Sequence, residues 1–432
     1  MANASPDRAR IRSYNVGFGD SYLLTFSYPG GRDRNVLIDF GSTRSSGFTP
    51  KGGLLTIAEQ IRMDCGGSLE MVVATHRHAD HISGFAGKSG EVIGSLDPDI
   101  VLQPWTEQPE LDPAASAPAA ASRQTLRART MVSRLADLQH LAGLVAREVP
   151  KLRASGQLSK TVADQLSFLG ETNLKNAPAV RNLMTMGGRR IYAHFGTKVP
   201  VSRLLPGVKL DVLGPPTLNQ SAAIAHQAHV DPLEFWHLAA LRAAAARGAV
   251  SSGDPIFPRA PVARVISQEA RWVIPQIDRM RAEEMLAIVR ILDGALNNTS
   301  LILAFEAGGK MFLFPGDAQI ENWRYALFDR DDSAEIRQRL STAAFYKVGH
   351  HGSLNATPRT LWNGFAHRSE TGGPGRLRTM VSTLAGKHGA EARGTEVPRK
   401  TLIAALEKLS AFQTTQGIKS RKEFWIDCEF DL

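Results

Sequence analysis

Four apolar segments of this chain stop in the same way, at a histidine or an aspartate beside a turn. Met71 to Thr75 runs into His76, Lys310 to Phe314 into Asp317, Ala344 to Val348 into His350 and His351, and Thr379 to Ser382 into a loop carrying His388. A sheet whose strands end at potential ligands is a strong constraint. In layered α/β proteins a rigid sheet presents loop side chains at one edge, where they meet although they are distant in sequence. The densest stretch is Thr75-His76-Arg77-His78-Ala79-Asp80-His81. His76 and His78, two apart on extended chain, point the same way and suit one metal ion. Asp80 and His81 follow at a turn and reach a second ion a few ångströms away. The structural alternative is a solvated His-rich loop, but ordered H-x-H-x-D-H after an apolar strand is a more specific pattern than His content alone.

The later strand ends supply the rest of the candidate set. Asp317 follows Gly316, which leaves room for close approach, and one carboxylate can bridge two cations. Its alternative role is to cap a helix from Ala318 to Leu327. His350 and His351 are neighbours on a chain read as extended, so they point apart and one of them is the ligand. His351 is favoured, leaving His350 to orient it, contact substrate or donate a proton. His388 is either a ligand or an exposed histidine of a polar loop. His226, His229 and His237 have no accompanying carboxylate pattern and read as surface or core residues.

The sheet order follows from the remaining pattern. A hairpin is expected from Ser21 to Phe26 and Asn35 to Asp39, then a helix from Leu54 to Met63. Residues 10–101 thus form one half of an α/β fold and 294–432 the other. The second half has a hairpin (Ser300 to Phe305, Lys310 to Phe314), a helix from Pro398 to Leu409 and an edge strand from Glu423 to Phe430. Residues 102–293 differ in character. Pro113 to Ala121 is an Ala/Pro/Ser tract, and helices are expected at Arg123 to Leu152, Pro232 to Arg247 and Gln276 to Leu292. Strands at Arg189 to Phe195 and Lys209 to Leu213 read as main-fold sheet interrupted by helical insertions.

No segment approaches the roughly 18 apolar residues of a membrane span, and Met1 to Arg12 has no apolar core, so the chain reads as cytoplasmic with no membrane partner. Cys65 and Cys428 cannot build a disulfide framework and read as small buried hydrophobes. A net charge of +9 favours an anionic partner, though the basic residues are dispersed, with clusters at Arg123, Arg127, Arg129 and Arg134 and at Lys419, Arg421 and Lys422.

The histidine motif, Gly316-Asp317 and His351 together resemble the metallo-β-lactamase-fold hydrolases. More narrowly, the chain is similar to the hydrolase domain of ComEC, the competence DNA-uptake protein. That likeness is carried by Asn15-Val16-Gly17-Phe18-Gly19-Asp20-Ser21, Val36 to Gly41, Asn297-Asn298-Thr299-Ser300 and Lys347-Val348-Gly349-His350-His351-Gly352-Ser353. It covers Arg10 to Gly87 and Leu296 to the C-terminus, and little between. The resemblance implies a four-layer αββα sandwich, here with helical insertions, holding two divalent metal ions, zinc or manganese, between its sheets. Most members carry a histidine before the Gly-Asp motif, where this chain has Leu296 to Ser300. The similar phosphorylcholine esterases fill that role from His-His-Gly and a later loop. Carried over, His76, His78, His351 and Asp317 hold one ion, and Asp80, His81, Asp317 and His388 the other. Relatives usually have the loop histidine next to proline, whereas here nine residues separate His388 from Pro398.

The implied activity is hydrolysis by a metal-activated water, with Asp80 steering its proton. His350, Ser353 and Lys347 are candidate catalytic residues, with Ser353, Lys347 and Asn298 candidate contacts to substrate oxygens, and Asn298 and Asp20 candidate substrate-binding residues. The substrate expected first is a phosphodiester of DNA or RNA. A small ester, lactone or phosphocholine ester is the alternative, because the fold alone does not choose. In a third reading, the helical insertions dock a protein partner within a bacterial multi-protein system.

Overall fold

The computed structural model describes residues 5–108, 117, 176–221, 296–353, 357–373, 375–386 and 396–432. The three insertion helices, the Pro113 to Ala121 tract apart from Ala117, His226, His229, His237 and His388 lie outside those residues.

Thirteen strands are formed by the described residues. The first six are β1 (Arg8–Tyr14), β2 (Ser21–Ser27), β3 (Arg34–Phe40), β4 (Met71–Val73), β5 (Ile100–Pro104) and β6 (Arg189–Ala193). Then come β7 (Lys209–Gly214), β8 (Ile302–Ala307), β9 (Lys310–Phe314), β10 (Ala343–Lys347), β11 (Arg378–Val381), β12 (Ala411–Thr414) and β13 (Trp425–Asp431). They make two mixed sheets, a 7-stranded one in the order β13-β1-β2-β3-β4-β5-β6 and a 6-stranded one in the order β12-β11-β10-β9-β8-β7. In each, an antiparallel part meets a parallel part: β3, β4, β5 and β6 run parallel in the first, and β9, β10, β11 and β12 in the second.

Period-two patterning sorts the side chains between cores. Tyr22, Leu24 and Phe26 of β2 join Leu303 and Phe305 of β8 and Phe312 and Phe314 of β9 in one buried cluster. The two sheets therefore face each other, with the Tyr22 and Phe314 rings 6.2 Å apart and Phe26 and Phe312 6.3 Å apart. The intervening residues face helices. Leu23, Leu37 and Val72 pack with Ile57 and Ile61 of α1 (Leu54–Asp64), Ile82 of α2 (Ala79–Ile82), Ile93 of α3 (Gly87–Gly94) and Leu183 of α4 (Ala177–Thr185). Ala304 and Leu313 pack with Trp323 of α5 (Ile320–Arg324), Leu340 of α6 (Ser333–Ser341), Leu361 of α7 (Arg359–Gly364) and Leu406 of α8 (Lys400–Leu409). Strands covered on both faces read as near-continuous apolar runs, as β2 does. The arrangement is mixed α/β and compatible with an α/β sandwich.

Several boundaries differ from expectation. β1 was not expected, because three arginines mask it; Ala9 and Ile11 alternate inward, while Arg12 is held by Asp427 at 2.6 Å and Asp64 at 2.8 Å. β5, β12, α3, α4, α6 and α7 are also additional, being short or rich in glycine and polar residues. The helix expected from Ala318 begins instead at Ile320, with Gln319 at its N-cap, which removes the capping role for Asp317. Cys65 and Cys428 are free and buried, as expected. Among the described residues, no helix is long and apolar enough to cross a membrane.

Candidate metal centre

The site is assembled at the ends of β4, β9 and β10. β4 stops at Val73, two residues earlier than expected, and the chain reaches α2 through His76, Arg77 and His78. The His78 carbonyl accepts the N–H groups of His81 and Ile82, which starts α2 and fixes Asp80 and His81 in its first turn. Consecutive helical residues diverge by about 100°. Asp80 accordingly faces the His351 turn, and His81 faces Asp317.

β9 ends at Pro315-Gly316-Asp317. Gly316 has φ +55°, and a Cβ there would lie 2.8 Å from the Thr75 side chain. Only glycine lets the two strand ends approach this closely. β10 ends before Gly349-His350-His351, where both histidines are left-handed, with φ 43° and 51°. The two rings diverge because of this tight turn, not because of a pleat as expected. His351 is turned inward and 1% exposed, and the His350 side chain sits at the rim, 18% exposed.

The side chains converge. Nε2 of His76 lies 2.9 Å from Nδ1 of His78, and the His76 and His81 ring centroids are 4.2 Å apart. Nε2 of His81 is 3.0 Å from Oδ2 of Asp317, and Nε2 of His351 is 3.1 Å from Oδ2 of Asp80. Asp80, His81, Asp317 and His351 each offer a ligand atom within 4.8 Å of the others, and all four are buried. This grouping places Asp80 beside His351, whereas the resemblance divides them between two ions. One atom in it, Oδ1 of Asp80, is buried with no hydrogen-bond partner among the described residues. Orphaned buried polar atoms of this kind are costly unless something binds them, and imidazole plus carboxylate is a donor set for zinc, manganese or iron.

Supporting groups hold the imidazoles from behind. Nδ1 of His351 faces the Ser382 carbonyl at 3.0 Å, and Nδ1 of His81 faces Oδ2 of Asp39 at 2.8 Å. Both Nε2 atoms are thereby presented to the cluster. Asp39 also accepts from the Thr75 N–H at 2.7 Å and the Thr75 hydroxyl at 2.8 Å, which ties β3 to the histidine loop. Asp39 was read only as the end of a strand; the available signal was a carboxylate inside the apolar run Val36 to Phe40. The Ser382 carbonyl carries no side-chain signal.

Electrostatics are dominated by burial and by opposed charges. Burial resists ionisation of Asp317, but the His81 and His351 charges outweigh it and hold its carboxyl well below the usual range. Asp80 is depressed in the same way, its burial overcome by His81 and by the His351 hydrogen bond. Burial opposes charge on His351 too, yet Asp317, Asp20 and Asp80 raise it to about 9, and His81 is raised well above its ordinary value by Asp317, Asp39 and Asp80. His76 is depressed, first by burial and then by His81 and His78.

The remaining candidates divide. Oγ of Ser353 is 2.8 Å from Nδ1 of His350, whose Nε2 is 3.9 Å from Oδ2 of Asp317. The Asn298 amide donates to Glu321 at 3.3 Å and is buried. Lys347 and Asp20, expected at substrate, are instead 2% and 0% exposed and paired with each other. Neither a protein-family model nor a curated protein matches the chain.

Proposed function

We propose that this chain is a metal-dependent hydrolase of the metallo-β-lactamase fold, with an αββα sandwich, cleaving phosphodiester bonds of DNA or RNA. The observation that carries the reading is the convergence of Asp80, His81, Asp317 and His351, buried and drawn from three separate strand ends. Charge supports it. Asp20, Asp39, Asp80 and Asp317 are all buried, and Lys347 is the one lysine or arginine paired with any of them among the described residues. Divalent cations would take the place of the charge that His81 and His351 carry when protonated. His76, His78, Asp80, His81, Asp317 and His351 would hold them, with His388 added by resemblance.

Bound divalent ions supply Lewis acidity, which acidifies water and neutralises charge on a scissile phosphate. Asp80, with Oδ1 unengaged, accepts and orients a water proton. His350, at the rim and hydrogen-bonded to Ser353, would give a proton to the leaving oxygen. The burial of the cluster excludes bulk water and strengthens each of these interactions. The choice of a nucleic acid rests on the ComEC resemblance and on the net charge of +9.

A substrate panel tests the reading. Protein loaded with Mn²⁺ or Zn²⁺ is expected to cleave bis-p-nitrophenyl phosphate and labelled DNA or RNA, with nucleic-acid cleavage falling steeply as salt rises. Turnover of a lactone or small carboxylic ester with no phosphodiester cleavage would contradict it.

A further inference from the structure

The geometry points to Lys347 as an internal cation that positions Asp317, holding one of its carboxylate oxygens away from the metal cluster and neutralising Asp20 so that Asp20 supports the centre without joining it. The inference rests on the metal-centre reading above. Lys347 is the last residue of β10 and is buried. Its ammonium is paired with Asp20, donates to the Gly316 carbonyl at 2.9 Å and lies 3.4 Å from Oδ1 of Asp317. A lysine has three N–H donors, and three acceptors surround this one. None is left over for a substrate oxygen.

The two oxygens of Asp317 are separated by what they face. Oδ1 takes the His350 N–H at 3.1 Å and the Lys347 ammonium, whereas Oδ2 looks toward Nε2 of His81 at 3.0 Å and of His351 at 3.7 Å. A carboxylate fixed in this way presents one oxygen to the cluster.

Asp20 lies on the opposite side of the same imidazoles. Its Oδ1 is 3.5 Å from Nδ1 of His351, and its Oδ2 is 3.8 Å from Nδ1 of His81. Asp20, Asp39 and His81 consequently form a second tight group of ligand-type atoms behind the first. The Lys347 ammonium, already on Asp20, is the cation of that group. The pair therefore sets where metal charge collects: in front of the imidazoles at Asp80 and Asp317, not behind them.

Calorimetric titration of Mn²⁺ into metal-stripped protein, with the visible spectrum of the Co²⁺-loaded form, tests this. The double variant D20N/K347M removes the pair without changing net charge. It is expected to bind Mn²⁺ roughly ten- to hundredfold more weakly, as loss of an outer-shell partner does. Its Co²⁺ spectrum is expected to change, because Oδ1 of Asp317 then keeps only the His350 N–H and is held less firmly away from the metal. Binding as tight as wild type with an unchanged spectrum overturns the inference. Should the double variant fail to show a cooperative thermal transition, Lys347→Gln replaces it. Its amide is uncharged and has two N–H donors in place of three, so weaker Mn²⁺ binding supports the inference and unchanged binding overturns it. Wild-type protein that takes up no Mn²⁺ overturns the metal reading itself, and this inference with it.

Discussion

At the residue scale, the candidate centre depends on groups that stand behind its ligand-type atoms. Asp39 accepts three hydrogen bonds, from the Thr75 N–H, the Thr75 hydroxyl and His81. Asp39→Ala strands those donors in a buried site and is expected to cost about 3–5 kcal/mol in denaturant unfolding, since breaking a buried pair leaves its partner uncompensated. A loss under about 1 kcal/mol would contradict that account. The pH dependence follows from the imidazoles. A histidine whose folded pKa is raised contributes stability that is complete below its unfolded value, about 6.5, and is lost as pH rises through the folded value. For His351 the folded value is about 9, and His81 shifts in the same direction. Asp80 and Asp317 are depressed, so their contribution is present above about 4 and is lost as pH falls further. Metal-stripped protein is therefore expected to lose thermal stability between about pH 6.5 and 9, in a melting series that metal-loaded protein does not follow. A flat profile for the stripped protein contradicts the assignment.

At the element scale, strand ends bring the residues together, and much of this was legible in sequence. The apolar runs that became β3, β4, β9, β10 and β11 were readable because both faces of each strand are covered. What they end in was readable from residue type. Less legible was anything set by backbone geometry: the left-handed His350-His351 turn, the short α2 that separates Asp80 from His81, and β1, whose Arg12 is paired with Asp64 and Asp427 far away in sequence. Asp39, Asp20 and Lys347 act through contacts between strands, which no local pattern encodes. Gly316 is the element-scale test. Alanine there is strained at φ +55° and meets Thr75, so Gly316→Ala is expected to destabilise by about 1–3 kcal/mol and to weaken metal binding. Gly364→Ala, at the end of α7 where an added Cβ meets nothing, is expected to leave both unchanged. Equal effects of the two substitutions contradict the close-approach argument.

At the scale of the whole molecule, two mixed sheets facing each other bring residues from 20 to 351 into two adjoining buried groups that share His81, and the full sequence carries a net charge of +9. In the proposed function, these two features are why bound cations are expected inside and an anionic substrate outside. There, long-range attraction would govern how substrate arrives, and the cluster what is done to it. The most direct test of the central claim is the metal content of stripped and reloaded protein, measured by elemental analysis for wild type and for Asp317→Asn. The account predicts two divalent ions per wild-type chain and a clear loss in the variant, because Asp317 faces both His81 and His351. Equal metal content in the two proteins, or none in wild type, would contradict it.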